Sequence, residues 1–149
     1  MPNLIIDPPA NLTIRQEEGS LHELMVAGAR RRELVVLARE GERKRLICTT
    51  GAYYPHVMIK WLLQETTGGH AGLARPPRQL NASRTTETAT PDGESFVQES
   101  QVQLVIRREL DRSYVECQAW DETEHRIDTR VRLDIICKKN HNLLFCLLY

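Results

Sequence analysis

Tyr114-Val115-Glu116-Cys117-Gln118-Ala119 alternates without a break. Val115, Cys117 and Ala119 fall on one side of an extended chain, and Glu116 and Gln118 on the other. That period predicts a strand with one face in a core and one in water. The pattern recurs upstream. In Arg45-Leu46-Ile47-Cys48-Thr49, Leu46 and Cys48 share a side; in Val57-Met58-Ile59-Lys60-Trp61, Val57, Ile59 and Trp61 do. Val102, Leu104 and Ile106 alternate with Gln103 and Val105, and Val131, Leu133 and Ile135 with Arg132 and Asp134. Parity therefore sets Cys48, Trp61 and Cys117 on apolar faces. Several short alternating strands predict an all-β fold of half-buried antiparallel strands.

Around these strands the chain has room for one domain: 149 residues, 41% of them apolar. Residues 1–9, with Pro2, Pro8 and Pro9, read as an extended lead-in, and Asn11-Leu12-Thr13-Ile14 as a first edge strand. Residues 20–40 are ambiguous. Leu21, Leu24, Met25 and Gly28 fall on one helical face, but Arg31 and Arg32 interrupt it, and Leu34-Val35-Val36-Leu37 favours a strand. Two strands around a charged bend are preferred to a short helix, with Glu40-Gly41-Glu42 as a turn. The polar stretch between Trp61 and Gln101 should hold weak edge strands and loop. The β domain is expected over 10–136, followed by an irregular tail over 137–149. No run of 18 apolar residues is present, so no membrane-spanning helix is expected. The first seven residues lack the basic start and long apolar run of a signal peptide.

Catalytic and metal chemistry find little support. The four cysteines at 48, 117, 137 and 146 form no Cys-x-x-Cys, and no histidine lies at zinc-finger spacing. His22, His56, His70, His125 and His141 are scattered. Gly68-Gly69-His70-Ala71-Gly72 lacks the Lys-Ser/Thr of a phosphate loop, and no serine stands in a nucleophile-elbow context. No cofactor, metal or catalytic residue is expected. Twenty basic and twenty acidic residues cancel, so no overall field draws the chain to nucleic acid. Arg30-Arg31-Arg32 and Arg43-Lys44-Arg45 read as mixed-charge surface, with heparan-type glycan binding as the alternative. Asn11-Leu12-Thr13 and Asn81-Ala82-Ser83 are glycosylation sequons.

Together these segments resemble the immunoglobulin superfamily over roughly residues 8–136. Glu40-Gly41-Glu42-Arg43-Lys44-Arg45-Leu46-Ile47-Cys48 is similar to the approach to strand B of adhesion-type domains, Ile59-Lys60-Trp61 to the I-x-W of strand C, and Asp111 to Cys117 to the D-x-G/S-x-Y-x-C of strand F. Val115 stands where that last pattern has tyrosine, so the tyrosine corner should be absent. The resemblance implies an immunoglobulin-like β-sandwich of two antiparallel sheets, one inter-sheet disulfide between Cys48 and Cys117, and Trp61 packed in the core against it. Finer similarity points to sidestep-type guidance receptors, or to nectin- and nephrin-like adhesion receptors. On that resemblance the chain is expected to be a non-catalytic binding domain, a fragment of a single-pass cell-surface glycoprotein. Neighbouring immunoglobulin domains would accompany it, and a protein on another cell would be its partner. Asn11 and Asn81 are the expected glycan sites. The strand face bearing Lys60, Glu116 and Gln118 is the expected interaction surface. The alternative is an intracellular muscle-type immunoglobulin domain acting as a spacer; a hydrolase is the remote third reading.

Overall fold

The computed structural model describes residues 8–19, 21–25, 32–65, 76–139 and 142–145. Of residues 22–25, 32, 138, 139 and 142–145, only the backbone is described. Two sheets face one another. The first holds β1 (Leu12–Gln16), β4 (Arg43–Thr50), β8 (Phe96–Val105) and β7 (Arg84–Ala89), in that spatial order. The second runs β2 (His22–Met25), β3 (Arg32–Arg39), β10 (Arg126–Lys139), β9 (Tyr114–Asp121), β5 (Val57–Gln64) and β6 (Arg78–Leu80), and β11 (Asn142–Phe145) also pairs with β10. The ambiguous 20–40 stretch thus forms strands where it is described; its bend, residues 26–31, lies outside the described residues.

The core is what parity predicts. Leu46, Cys48, Val102, Leu104 and Ile106 from the first sheet meet Trp61, Leu63, Val115, Cys117, Val131, Leu133 and Ile135 from the second. Cys48 and Cys117 join the two layers in a disulfide, their Cα atoms 6.5 Å apart. Trp61 lies beside Cys117 in register and is 1% exposed. An indole so deeply buried needs an acceptor for its N–H. It donates to Ser100 Oγ on the facing sheet at 3.0 Å, and Ser100 in turn contacts Thr85 Oγ1 at 3.2 Å. Ser100 occupies an inward position of β8, where a hydrocarbon would have left the indole unpaired.

The β3–β4 turn uses Gly41 at φ 93°, a conformation that a Cβ would strain. Gly41 N–H bonds to Ile106 O and Glu40 N–H to Ile136 O, which fixes the turn against both β8 and β10. As expected, no tyrosine corner forms: Val115 is buried and Tyr114 points to the outer face. Asp111 does the stitching instead. Its carboxylate accepts the Ile135 N–H at 2.8 Å, while Arg112 N–H donates to Leu133 O and Leu133 N–H to Ser113 O. Burial pushes the Asp111 carboxyl above its ordinary range.

Two expectations need correction. The sheets are not wholly antiparallel, because β3 pairs with β10 in parallel. After β1 the chain continues in the second sheet, where β2 runs antiparallel to β3. Nor is the segment from 137 irregular throughout. β10 continues to Lys139, and β11 returns antiparallel with Ile136 opposite Phe145. Cys137 is itself disulfide-bonded, in addition to the inter-sheet bridge.

The inter-sheet bridge spans 69 residues, a loop whose closure is worth about 4 kcal/mol in the chain-entropy account. The Cys48→Ala/Cys117→Ala variant should therefore lose about 4 kcal/mol of unfolding free energy in non-reducing urea titration. An unchanged midpoint would show that the bridge does not hold the sheets.

Candidate protein-binding face

The outer face of β5, β9 and β10 is built in cross-strand rows, because side chains two apart on each strand point the same way. Pairing aligns Met58 with Trp120 and Arg126, and Lys60 with Gln118 and Asp128. The next two rows are Leu62, Glu116 and Arg130, then Gln64, Tyr114 and Arg132.

Trp120 anchors one end of this face. Its indole N–H donates to Gln118 Oε1 at 3.1 Å. The Lys60 ammonium lies 5.5 Å from its ring centre and the Arg126 guanidinium 5.4 Å, so cations flank the ring from two strands. Met58 beside it is 60% exposed, the most exposed of the large apolar side chains described. Arg126 also reaches Asp128 at 3.3 Å.

The other end is a network. The Tyr114 hydroxyl donates to Glu33 Oε1 at 2.8 Å, and the Arg130 guanidinium stacks 4.1 Å over the Tyr114 ring. Arg132 bridges Glu33 at 3.0 Å and Asp134 at 3.0 Å. Glu33, Arg132 and Asp134 are half-buried, so their pairs count for more than solvated ones; Arg130 is exposed. Burial, then the Glu33 hydrogen bond and charge, push the Tyr114 hydroxyl above its ordinary value.

The sequence-predicted residues separate here. Lys60 and Glu116 reach the surface in part, but Gln118 is only 6% exposed. Its expected role as a contact residue is corrected: it supports Trp120 from within the sheet face. Trp120 itself was missed, although its parity with Gln118 and Glu116 on the same strand would have placed it outward. Asn11 and Asn81 are both exposed, Asn11 just before β1 and Asn81 between β6 and β7. Gly51 leaves space for Asn11: a Cβ there would lie 2.5 Å from Asn11 Oδ1. In the Arg43-Lys44-Arg45 run, Lys44 pairs with Glu42 at 3.3 Å and Arg45 with Glu17 at 3.1 Å, a mixed-charge surface. Arg30 and Arg31 lie outside the described residues. Among the described residues no group of three or more His, Cys, Asp or Glu side chains could hold a metal. No described helix is long and apolar enough to cross a membrane.

Comparison with known proteins places this geometry. The sequence profile of the CD80-like C2-set immunoglobulin domain matches residues 32–127. The chain belongs to this family. Its fold is similar to that in the crystal structure of Rst D1-D2, with TM-score 0.61 and 19% identity over 87% of this chain and 50% of that one. It is also similar to the full Ig1–Ig3 ectodomain of mouse nectin-like molecule 4, with TM-score 0.62 and 18% identity over 90% of this chain and 36% of that one. The chain thus spans half or less of these multi-domain neighbours. No curated protein matches the sequence significantly.

Glu33→Gln removes the negative charge that helps raise the Tyr114 pKa and leaves burial in place. In an ultraviolet titration Tyr114 should ionise at lower pH in this variant than in the parent protein. An unmoved curve would mean that the Tyr114–Glu33 contact is not formed in solution.

Proposed function

We propose that this chain is a recognition domain of a cell-surface adhesion or guidance-type receptor, related to the nectin-like or sidestep-like kinds. It binds a protein on another cell through the outer face of β5, β9 and β10, and makes and breaks no covalent bond. The observation that carries this reading is Trp120: a tryptophan held on an open sheet face by Gln118, flanked by Lys60 and Arg126, with exposed Met58 alongside. Tryptophan, arginine and methionine are enriched at protein interfaces, and a pre-positioned ring loses little entropy on binding. The surrounding charges of both signs favour selectivity over non-specific adhesion. Membership of the C2-set family and the multi-domain ectodomains among its structural neighbours support an extracellular setting. Fold alone does not assign function, so the proposal rests on the face.

Clustered on a multivalent carrier, the purified chain should bind a subset of a panel of cultured cells in flow cytometry. Trp120→Ala should reduce that binding about tenfold or more, as expected for an interface anchor. Arg84→Glu, on the exposed β7 of the other sheet, should leave it unchanged. Binding that survives Trp120→Ala would remove the face from consideration.

The same setting makes Asn11 and Asn81 glycan acceptors, both open to the transferase. Secreted from animal cells, the chain should lose mass on treatment with an N-glycosidase, in two steps that Asn11→Gln and Asn81→Gln each abolish singly. A secreted product with no mass change would exclude both sites.

A further inference from the structure

On the proposed face, charge is almost fully matched within the chain. Arg126 pairs with Asp128, Arg130 and Arg132 with Glu33, and Arg132 also with Asp134. Lys60 and Glu116 are the exceptions: neither has an ion-pair partner among the described residues. They are of opposite sign and close together. Lys60 is in register with Gln118, and Glu116 with Leu62, so the two are diagonal neighbours on adjacent strands. Diagonal neighbours stand about 7–8 Å apart. The lysine leans the other way, toward the Trp120 ring. Each charge is left facing outward, with Leu62 and Gln118 completing the square between them.

We propose that the occupant of this face is a second copy of this chain, docked about a two-fold axis that sets Lys60 of each copy against Glu116 of the other. The inference rests on the reading of this face as the recognition surface and adds the identity of the partner. A two-fold contact is isologous: if residue i meets j, then j meets i. Two unmatched charges of opposite sign on one face meet that condition with a single arrangement. The axis lies between the faces and perpendicular to the line joining the two residues. Rotation about it exchanges their positions and neutralises both charges twice over. A face with one unmatched sign would call for a different molecule; this one is complementary to itself. Trp120, Met58 and Leu62 flank the pair and supply the apolar area that charge alone does not.

Reciprocity gives the test. The purified chain is examined by sedimentation equilibrium up to its solubility limit, alone and as variants. The wild type should self-associate to a dimer. Lys60→Glu and Glu116→Lys should each raise the dissociation constant about tenfold or more, because each places like charges together twice. An equimolar mixture of the two variants should dimerise as well as wild type, since one contact is then the native pair and the other is restored with reversed sign. The double variant should regain self-association yet fail to pair with wild type. A spectrum and a Cys48–Cys117 disulfide unchanged from wild type show that each variant folds. A monomer at every concentration, or a mixture that stays monomeric, overturns the inference. If such a monomer still binds cells in a Trp120-dependent way, the recognition face stands and only the identity of its partner falls.

Discussion

A tryptophan N–H buried in a dry core must find an acceptor, and here it finds one across the gap between the sheets. Trp61 donates to Ser100, while the neighbouring Cys117 is bonded to Cys48 in the layer opposite. One of these contacts is covalent and the other polar, and both cross the same gap. They fix the spacing of the layers and the register of β4, β5, β8 and β9 together. A slip of one residue in any of those strands would turn a cysteine or the indole toward water. Hydrophobic burial drives the association of the two sheets and selects the phase of each strand, while the two cross-gap contacts fix which residues meet.

With the inner faces committed, the outer ones are free to carry chemistry. The consequence is clearest on β9, where Cys117 and Ala119 face inward and Gln118 and Trp120 outward on alternate positions of one strand. The strand that carries the disulfide therefore also positions Trp120 on the outer face. Rigidity is transmitted directly: Trp120 is held by a hydrogen bond to the residue adjacent to the bridged cysteine. Cations from β5 and β10 converge on it because the pairing brings Lys60 and Arg126 alongside. Trp120 is half-buried, and a ring held this way has little conformational freedom left to lose.

At the opposite end, polar groups replace the missing tyrosine corner. Asp111 accepts from the backbone of β10, and Tyr114, displaced by one position to the outer face, joins Glu33, Arg130 and Arg132. The family feature is lost, but the loop before β9 stays pinned, by backbone hydrogen bonds in place of a phenol hydroxyl.

Much of this was legible in the sequence. Alternation alone placed Leu46, Cys48, Trp61, Val115 and Cys117 inward, because a strand's side chains have a strict period of two and the core accepts only one phase. The sequence also placed Lys60 and Glu116 outward, and glycine at the 40–42 turn. What it could not carry was distance between strands. That Ser100 would meet the indole, that Gln118 would be covered by Trp120, that β3 would run parallel to β10 and that β10 would extend into a hairpin with β11 all depend on which strands become neighbours. Periodicity is a local property of one segment; pairing partners are chosen by packing of the whole chain. The sequence therefore determined the sandwich and its inward set, and only the tertiary structure decided which outward residues stand together as a surface.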